Sequence, residues 1–169
     1  MAGCISLLRK RRSSVLERPG EFELIARHFA PIAGPGGLGL IDDAGLLRPA
    51  RGYEIVVTAD ALVAGVHFFP DDPPGSIARK ALAVNLSDLA AKGAKPDGFV
   101  LALALPKGWT DSWLAAFAGG LKQAANAGGC PLIGGDTVST PGPLTLSITA
   151  FGSVPAGRMV LRSCAKPGD

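Results

Sequence analysis

The chain has 169 residues, 47% of them apolar and 18% charged, which suits one packed domain and argues against two domains or general disorder. The net charge of +3 invites a nucleic-acid reading, but 12 of the 17 bases and 13 of the 14 acids lie from Pro19 onward. The body therefore carries no electrostatic footprint for nucleic acid, and no apolar run approaches the ~18 residues that would mark a membrane span.

Residues 1–18 hold Arg9, Lys10, Arg11, Arg12 and Arg18 against a single Glu17. An apolar patch (Ile5, Leu7, Leu8) precedes these charges, the reverse of a secretory signal. The segment reads as a disordered or mis-started basic extension rather than a transit peptide. Residues 19–169 form the domain. Phe22, Ile25, Ala26 and Phe29 recur at helical spacing with Glu21 and Glu23 in the first turn, which predicts a helix over Glu21–Ile32. A Gly-rich loop, 34–39, ends it. Glu54–Val63 is β-branched and predicts a buried strand. Ser76–Lys92 reads as a helix capped by Ser76 and stopped by Gly93. Phe99–Leu105 predicts a strand, Asp111–Ala127 a helix, and Cys130–Ile133 and Leu144–Val154 two further strands. This order points to an α+β fold, a mixed sheet with helices on one face.

Residues 34–39 (Gly-Pro-Gly-Gly-Leu-Gly) match GxGxxG in form. That motif needs a strand before it and a helix N-terminus after it to receive a pyrophosphate. Here a helix precedes and an acidic pair follows, so a dinucleotide site is set aside. The placement of the aspartates carries more information. Asp42 and Asp43 sit in an apolar setting, Asp60 interrupts a strand, Asp88 lies in an Ala/Leu-rich helix, and Asp136 follows Ile133-Gly134-Gly135. Carboxylates resist burial unless paired, hydrogen-bonded or metal-bound. Two readings stand side by side: convergence on hard cations such as Mg²⁺, or ordinary caps and turns. Asn85-Leu86-Ser87-Asp88 crowds polar residues of weak helix preference into one turn, which favours a site-facing role for Asp88 and Asn85 over a kink. Asp71-Asp72-Pro73-Pro74-Gly75 is a turn by composition. His28, Trp109 and Trp113 read as packing residues, Cys130 as a buried thiol, and His67, taken alone, as a satisfied histidine. Three distant cysteines (Cys4, Cys130, Cys164) allow no disulfide framework and favour a reducing, cytoplasmic setting.

Several segments together resemble the thiamine-monophosphate kinases: Glu21-Phe22-Glu23-Leu24-Ile25, the stretch around Asp42-Asp43, Thr58 to Phe68 with Asp60 and Val66-His67-Phe68, Lys80 to Ala91, Leu132 to Thr137, and Gly157 to Ser163 through Asp169. The Asn-Leu-Ser-Asp helix is shared more loosely by the wider aminoimidazole-ribonucleotide-synthetase-like superfamily. The resemblance implies that superfamily's N-terminal-domain fold. It also implies transfer of the ATP γ-phosphoryl group to thiamine monophosphate with several Mg²⁺ ions, in a cytoplasmic homodimer that uses neither membrane nor nucleic acid. It implies metal roles for Asp43, Thr58, Asp60, Asp88 and Asp136, nucleotide contacts for Gly135, Asp136 and Arg162, and a substrate contact for His67, with no dedicated catalytic base. Ile41 stands where the family often has Gly, Ala59 where it often has a hydroxyl, and Ser139 where it often has Arg. The family continues into a second α/β domain, so the resemblance implies that this chain is the N-terminal half. A non-catalytic binding or dimerisation fragment, and a sibling ATP-dependent enzyme, are the alternatives.

Overall fold

A computed structural model describes residues 20–166 and residue 168. The basic extension, 1–18, lies outside the described residues. The expected first helix opens as α1 (Glu21–Leu24) and continues without a break as a π turn (Ile25–Phe29) and a 3-10 turn (Ala30–Ile32). Pro31 inside the last turn explains why regular α winding does not reach Ile32. The Gly-rich segment folds into tight 3-10 turns over Pro35–Leu40.

Four strands follow: β1 (Tyr53–Val63), β2 (Lys95–Pro106), β3 (Leu132–Thr140) and β4 (Thr145–Pro155). Two helices are interleaved, α2 (Pro74–Ala91) and α3 (Asp111–Gly128). The sheet order is β1-β4-β2-β3, antiparallel except for the parallel β2/β3 pair. The α+β expectation is met, with three local corrections. The cap of α2 is not Ser76; the helix starts at Pro74 after Pro73, and proline suits the first turn because its missing N–H had no helical partner there. β1 is not fully buried, because it is an edge strand that buries only Val56 and Leu62. β3 starts two residues later than expected and runs on to Thr140, so Asp136 lies inside the strand rather than just past its end.

Strand alternation sets the two faces. Leu146, Ile148, Ala150 and Val154 of β4, with Phe99, Leu101, Leu103 and Leu105 of β2, point into the core. There they meet Ile77, Leu82 and Leu89 of α2. α3 stacks on α2 through Leu114, Phe117 and Leu121, and its ends are well specified. Thr110 accepts from Trp113 N–H at the start, and Gly129 takes the left-handed conformation (φ 58°) past the end. Trp113 stacks on Phe117 with ring centroids 5.4 Å apart, so its packing role holds. Cys130 is fully buried, and that burial pushes its thiol up to about 11, which keeps it protonated and unreactive at neutral pH.

Two features invite direct tests. The helices α2 and α3 touch at a point where a Cβ on Gly120 would lie 2.4 Å from the Cα of Gly75. Gly120→Ala should therefore cost about 1–3 kcal/mol through backbone overpacking, seen as a lower urea midpoint. The first helical segment is tied to α3 where buried His28 Nε2 meets Asp111 Oδ1 at 2.9 Å, with Arg27 also on that carboxylate. The His28 hydrogen bond is the main cause holding the Asp111 carboxyl below its ordinary 3.8. A carboxylate lowered in this way contributes stability that is complete above pH 3.8 and is lost as pH falls through the lowered value. Asp111→Asn should accordingly lower the neutral limb of a stability-versus-pH curve, where this contribution is complete, and so flatten the fall toward acid pH.

Candidate functional site

The site is built where the Gly-rich turns lie against β3. Gly36 N–H donates to no side chain here; its carbonyl instead accepts from Leu46 N–H at 2.7 Å and draws the two ends of the loop together. A Cβ on Gly45 would come within 2.2 Å of the Ile133 carbonyl oxygen, and one on Gly36 within 2.4 Å of the Leu46 carbonyl. Only glycine permits such an approach. The loop also holds Leu38 and Leu40 at positive φ (50° and 56°), a conformation uncommon for side-chain-bearing residues. Between its anchored ends the loop presents Asp42 and Asp43, with Asp42 Oδ1 accepting from Asp43 N–H at 2.8 Å.

Opposite the acidic pair, β3 carries an irregularity. Phe99 and Val100 of β2 face Leu132 and Gly134, so Ile133 is an extra residue in β3. Such a bulge exchanges the faces of every later residue and re-aims side chains. Gly135 consequently pairs with Leu101 on the core side, and a Cβ there would meet the Leu101 carbonyl at 2.0 Å. Asp136 pairs with Ala102, in the row that continues through Ser147 to Ala61.

Together these parts enclose an open cavity of about 420 Å³. Asp42, Asp43, Gly134, Gly135 and Asp136 form its polar side, and Phe22, Ile25, Phe29, Leu40 and Ile41 its apolar wall. Glu21 adds a fourth carboxylate, and among the described residues no Lys or Arg lines it. Asp43, Gly135 and Asp136, three of the residues singled out in the sequence, line this cavity together. The sequence did not foretell Glu21 and Phe22 as walls, because their meeting with β3 is a long-range contact that no local pattern announces.

The remaining expected residues fall elsewhere. Thr58 and Asp60 lie on the core side of β1, opposite Ala150 and Ile148. β1 and β3 are the two edges of the sheet, roughly 14 Å apart at the usual strand spacing. Thr58 Oγ1 donates to Asn85 Oδ1 of α2 at 3.0 Å. Asp88, one turn beyond Asn85, is exposed. Four of the five expected metal residues thus fall into two groups, Asp43 with Asp136 and Thr58 with Asp60 beneath α2, while Asp88 joins neither. Among the described residues no three His, Cys, Asp or Glu side chains are close enough to share one ion. His67 is exposed after β1; its Nδ1 accepts from Val63 N–H at 3.0 Å, which leaves Nε2 as the protonated nitrogen of the neutral ring. Arg162 opens a short turn (Arg162–Cys164) and lines neither this cavity nor the smaller one near Asp97. Among the described residues no helix is long and apolar enough to cross a membrane.

Comparison with known proteins gives this geometry its setting. The thiamine-monophosphate kinase of Caulobacter vibrioides is 46% identical over 153 residues, covering 89% of this chain and 44% of that protein. The chain therefore spans less than half the length of that relative. The crystal structure of thiamine-monophosphate kinase from Stenotrophomonas maltophilia K279a superposes with a TM-score of 0.66 at 47% identity, over 72% of this chain and 37% of that one. A further solved structure, AaThiL complexed with AMPPCP and TMP, gives a TM-score of 0.65 at 28% identity, over 78% of this chain and 45% of that one. Residues 41–154, which run from the acidic loop to the end of β4, match the family described as AIR synthase related protein, N-terminal domain. With its four-stranded mixed sheet, its covering helices and this match over most of its length, the chain belongs to that family.

Proposed function

We propose that the chain binds ATP and thiamine monophosphate and forms the phosphate- and metal-handling domain of a cytoplasmic thiamine-monophosphate kinase. The observation that carries this reading is the cavity between Asp42-Asp43 and Gly134-Gly135-Asp136, a glycine-walled space that the described residues line with four carboxylates and no Lys or Arg. Such a surface repels a polyphosphate by itself, so a phosphate ligand requires divalent cations between the two. The donors are hard oxygens, the chemistry that suits Mg²⁺. Mg²⁺ needs only one or two protein carboxylates when substrate phosphates and water complete its shell, which the pair Asp43 and Asp136 can supply. Thr58, Asp60 and Asp88 would serve a second position. Mg²⁺ held by these residues would supply charge neutralisation for phosphoryl transfer.

The rest of the work falls to the chain itself. Two anionic phosphates must be brought end to end, so positioning matters more than covalent chemistry. Backbone around Gly135, which is exposed and lines the cavity, borders the phosphates. The apolar wall of Phe22, Ile25 and Ile41, with Phe22 and Ile41 exposed, offers a surface on which a planar base can stack. His67, with Nε2–H free to donate, is the candidate contact for thiamine monophosphate, and Arg162 for the nucleotide. No general base is needed, because the accepting phosphate oxygen is already ionised at neutral pH.

The relatives named thiamine-monophosphate kinase, at 46% identity, and the AaThiL structure with AMPPCP and TMP support the choice of substrates. Because the chain spans 44% of that relative, a second reading is a domain that binds nucleotide without turning it over. An assay for thiamine diphosphate from ATP and thiamine monophosphate separates the two. Under either reading Asp136→Asn should weaken Mg²⁺-dependent AMPPCP binding about ten- to a hundredfold in calorimetry while leaving the thermal midpoint in place. Undiminished binding would remove Asp136 from the site.

The uncovered sheet face supports a homodimer. Tyr53, Val57 and Val138 are each about half exposed there (45%, 55% and 49%), and apolar sheet surface of this kind invites association. Sedimentation should show a dimer, and Val57→Asp should shift it toward monomer.

A further inference from the structure

We propose that Asn85 is a positioning residue for Thr58, turning its hydroxyl into a pure acceptor toward a bound cation; this rests on the metal-dependent reading above. Asn85 is completely buried in α2, where an amide has no helical role and costs stability unless both of its ends are paired. Its Nδ2 donates to the Ala81 carbonyl at 3.2 Å. A carbonyl can only accept, so the amide cannot be turned around, and Oδ1 must face β1. There it receives the Thr58 hydroxyl proton at 3.0 Å.

The consequence follows from counting lone pairs. A threonine hydroxyl has one proton and two acceptor sites. With the proton committed to Asn85, both lone pairs of Oγ1 are left for an electron-pair acceptor such as Mg²⁺. Without Asn85 the hydroxyl rotates and can offer its proton, the wrong polarity for a cation. Asp60, two residues along the same side of β1, is half-buried and supplies the charge that a hydroxyl lacks. The helical crowding of Asn85 and Asp88 thereby acquires a physical account for its first member: the amide belongs to the β1 hydroxyl, from beneath, rather than to a ligand directly.

The test uses the 169-residue chain and Mn²⁺ alone, followed by its paramagnetic resonance signal, so that turnover is not needed. Asn85→Leu, close in volume, should lower Mn²⁺ affinity about tenfold or more, in the range of lost outer-shell partners. Thr58→Val should do the same, and the double variant should lose no more than either single change. Thr58→Ser keeps the hydroxyl but drops the methyl that otherwise restricts the rotamer. It should bind like wild type if Asn85 sets the hydroxyl, and this variant leaves the buried amide intact should Asn85→Leu fail to fold. Unchanged affinity in a folded Asn85→Leu, or a Thr58→Ser as weak as Thr58→Val, overturns the positioning role. A wild-type chain that takes up no Mn²⁺, or an unaffected Thr58→Val, overturns the Thr58 metal assignment itself and the inference with it.

Discussion

The acidic cavity depends on backbone approaching backbone more closely than any side chain allows. Gly36 and Gly45 bring the two ends of the loop against Leu46 and Ile133, and Gly135 lets β3 close on the Leu101 carbonyl. Those contacts hold Asp42 and Asp43 over Asp136 without a single salt bridge among them. A methyl group at any of the three glycines would push the loop away from the strand, and the carboxylates would no longer face a common space. The site is therefore a property of main-chain geometry first and of acidic side chains second.

The bulge at Ile133 is the second determinant. In an uninterrupted strand Asp136 would share the side of Leu132 and face the apolar core, where an unpaired carboxylate is costly. One extra residue moves Asp136 to the row of Ala102 and hands the core position to Gly135. The same irregularity thus removes a buried charge from the core and delivers a carboxylate to the cavity. On the far edge of the sheet, the Thr58–Asn85 pair joins β1 to α2 by a buried hydrogen bond, so the second group of oxygen donors is held by helix–sheet packing rather than by a loop.

Much of the fold was legible in the sequence, for reasons that are local. The Ala/Leu periodicity of α2 and α3, the left-handed glycines after them and the strand run Phe99–Leu105 each depend on neighbours within a few residues. The errors arose where the determinant was not local. β1 looks buried because it is β-branched, but strand order makes it an edge. Ser76 is a good capping residue in the wrong place, since Pro73 and Pro74 already start the helix one turn earlier. Asp136, left open in the sequence between a cation ligand and a turn residue, lies inside β3, where the two glycines before it serve a bulge. Glu21 and Phe22 gave no sign of reaching the cavity, because nothing near them in the chain records the contact with β3.

By itself the sequence determined the element types, the confinement of basic excess to residues 1–18, and which aspartates stand beside apolar elements, although Asp42, Asp43, Asp88 and Asp136 prove to be exposed and Asp60 half-buried. Those are consequences of side-chain chemistry and short-range periodicity. Only the tertiary structure decided which carboxylates meet: Asp42, Asp43 and Asp136 in one cavity, with Thr58 and Asp60 at the opposite edge of the sheet. That division follows from strand order and from one inserted residue in β3, and both are settled by pairing between segments far apart in the chain, where local composition carries no information.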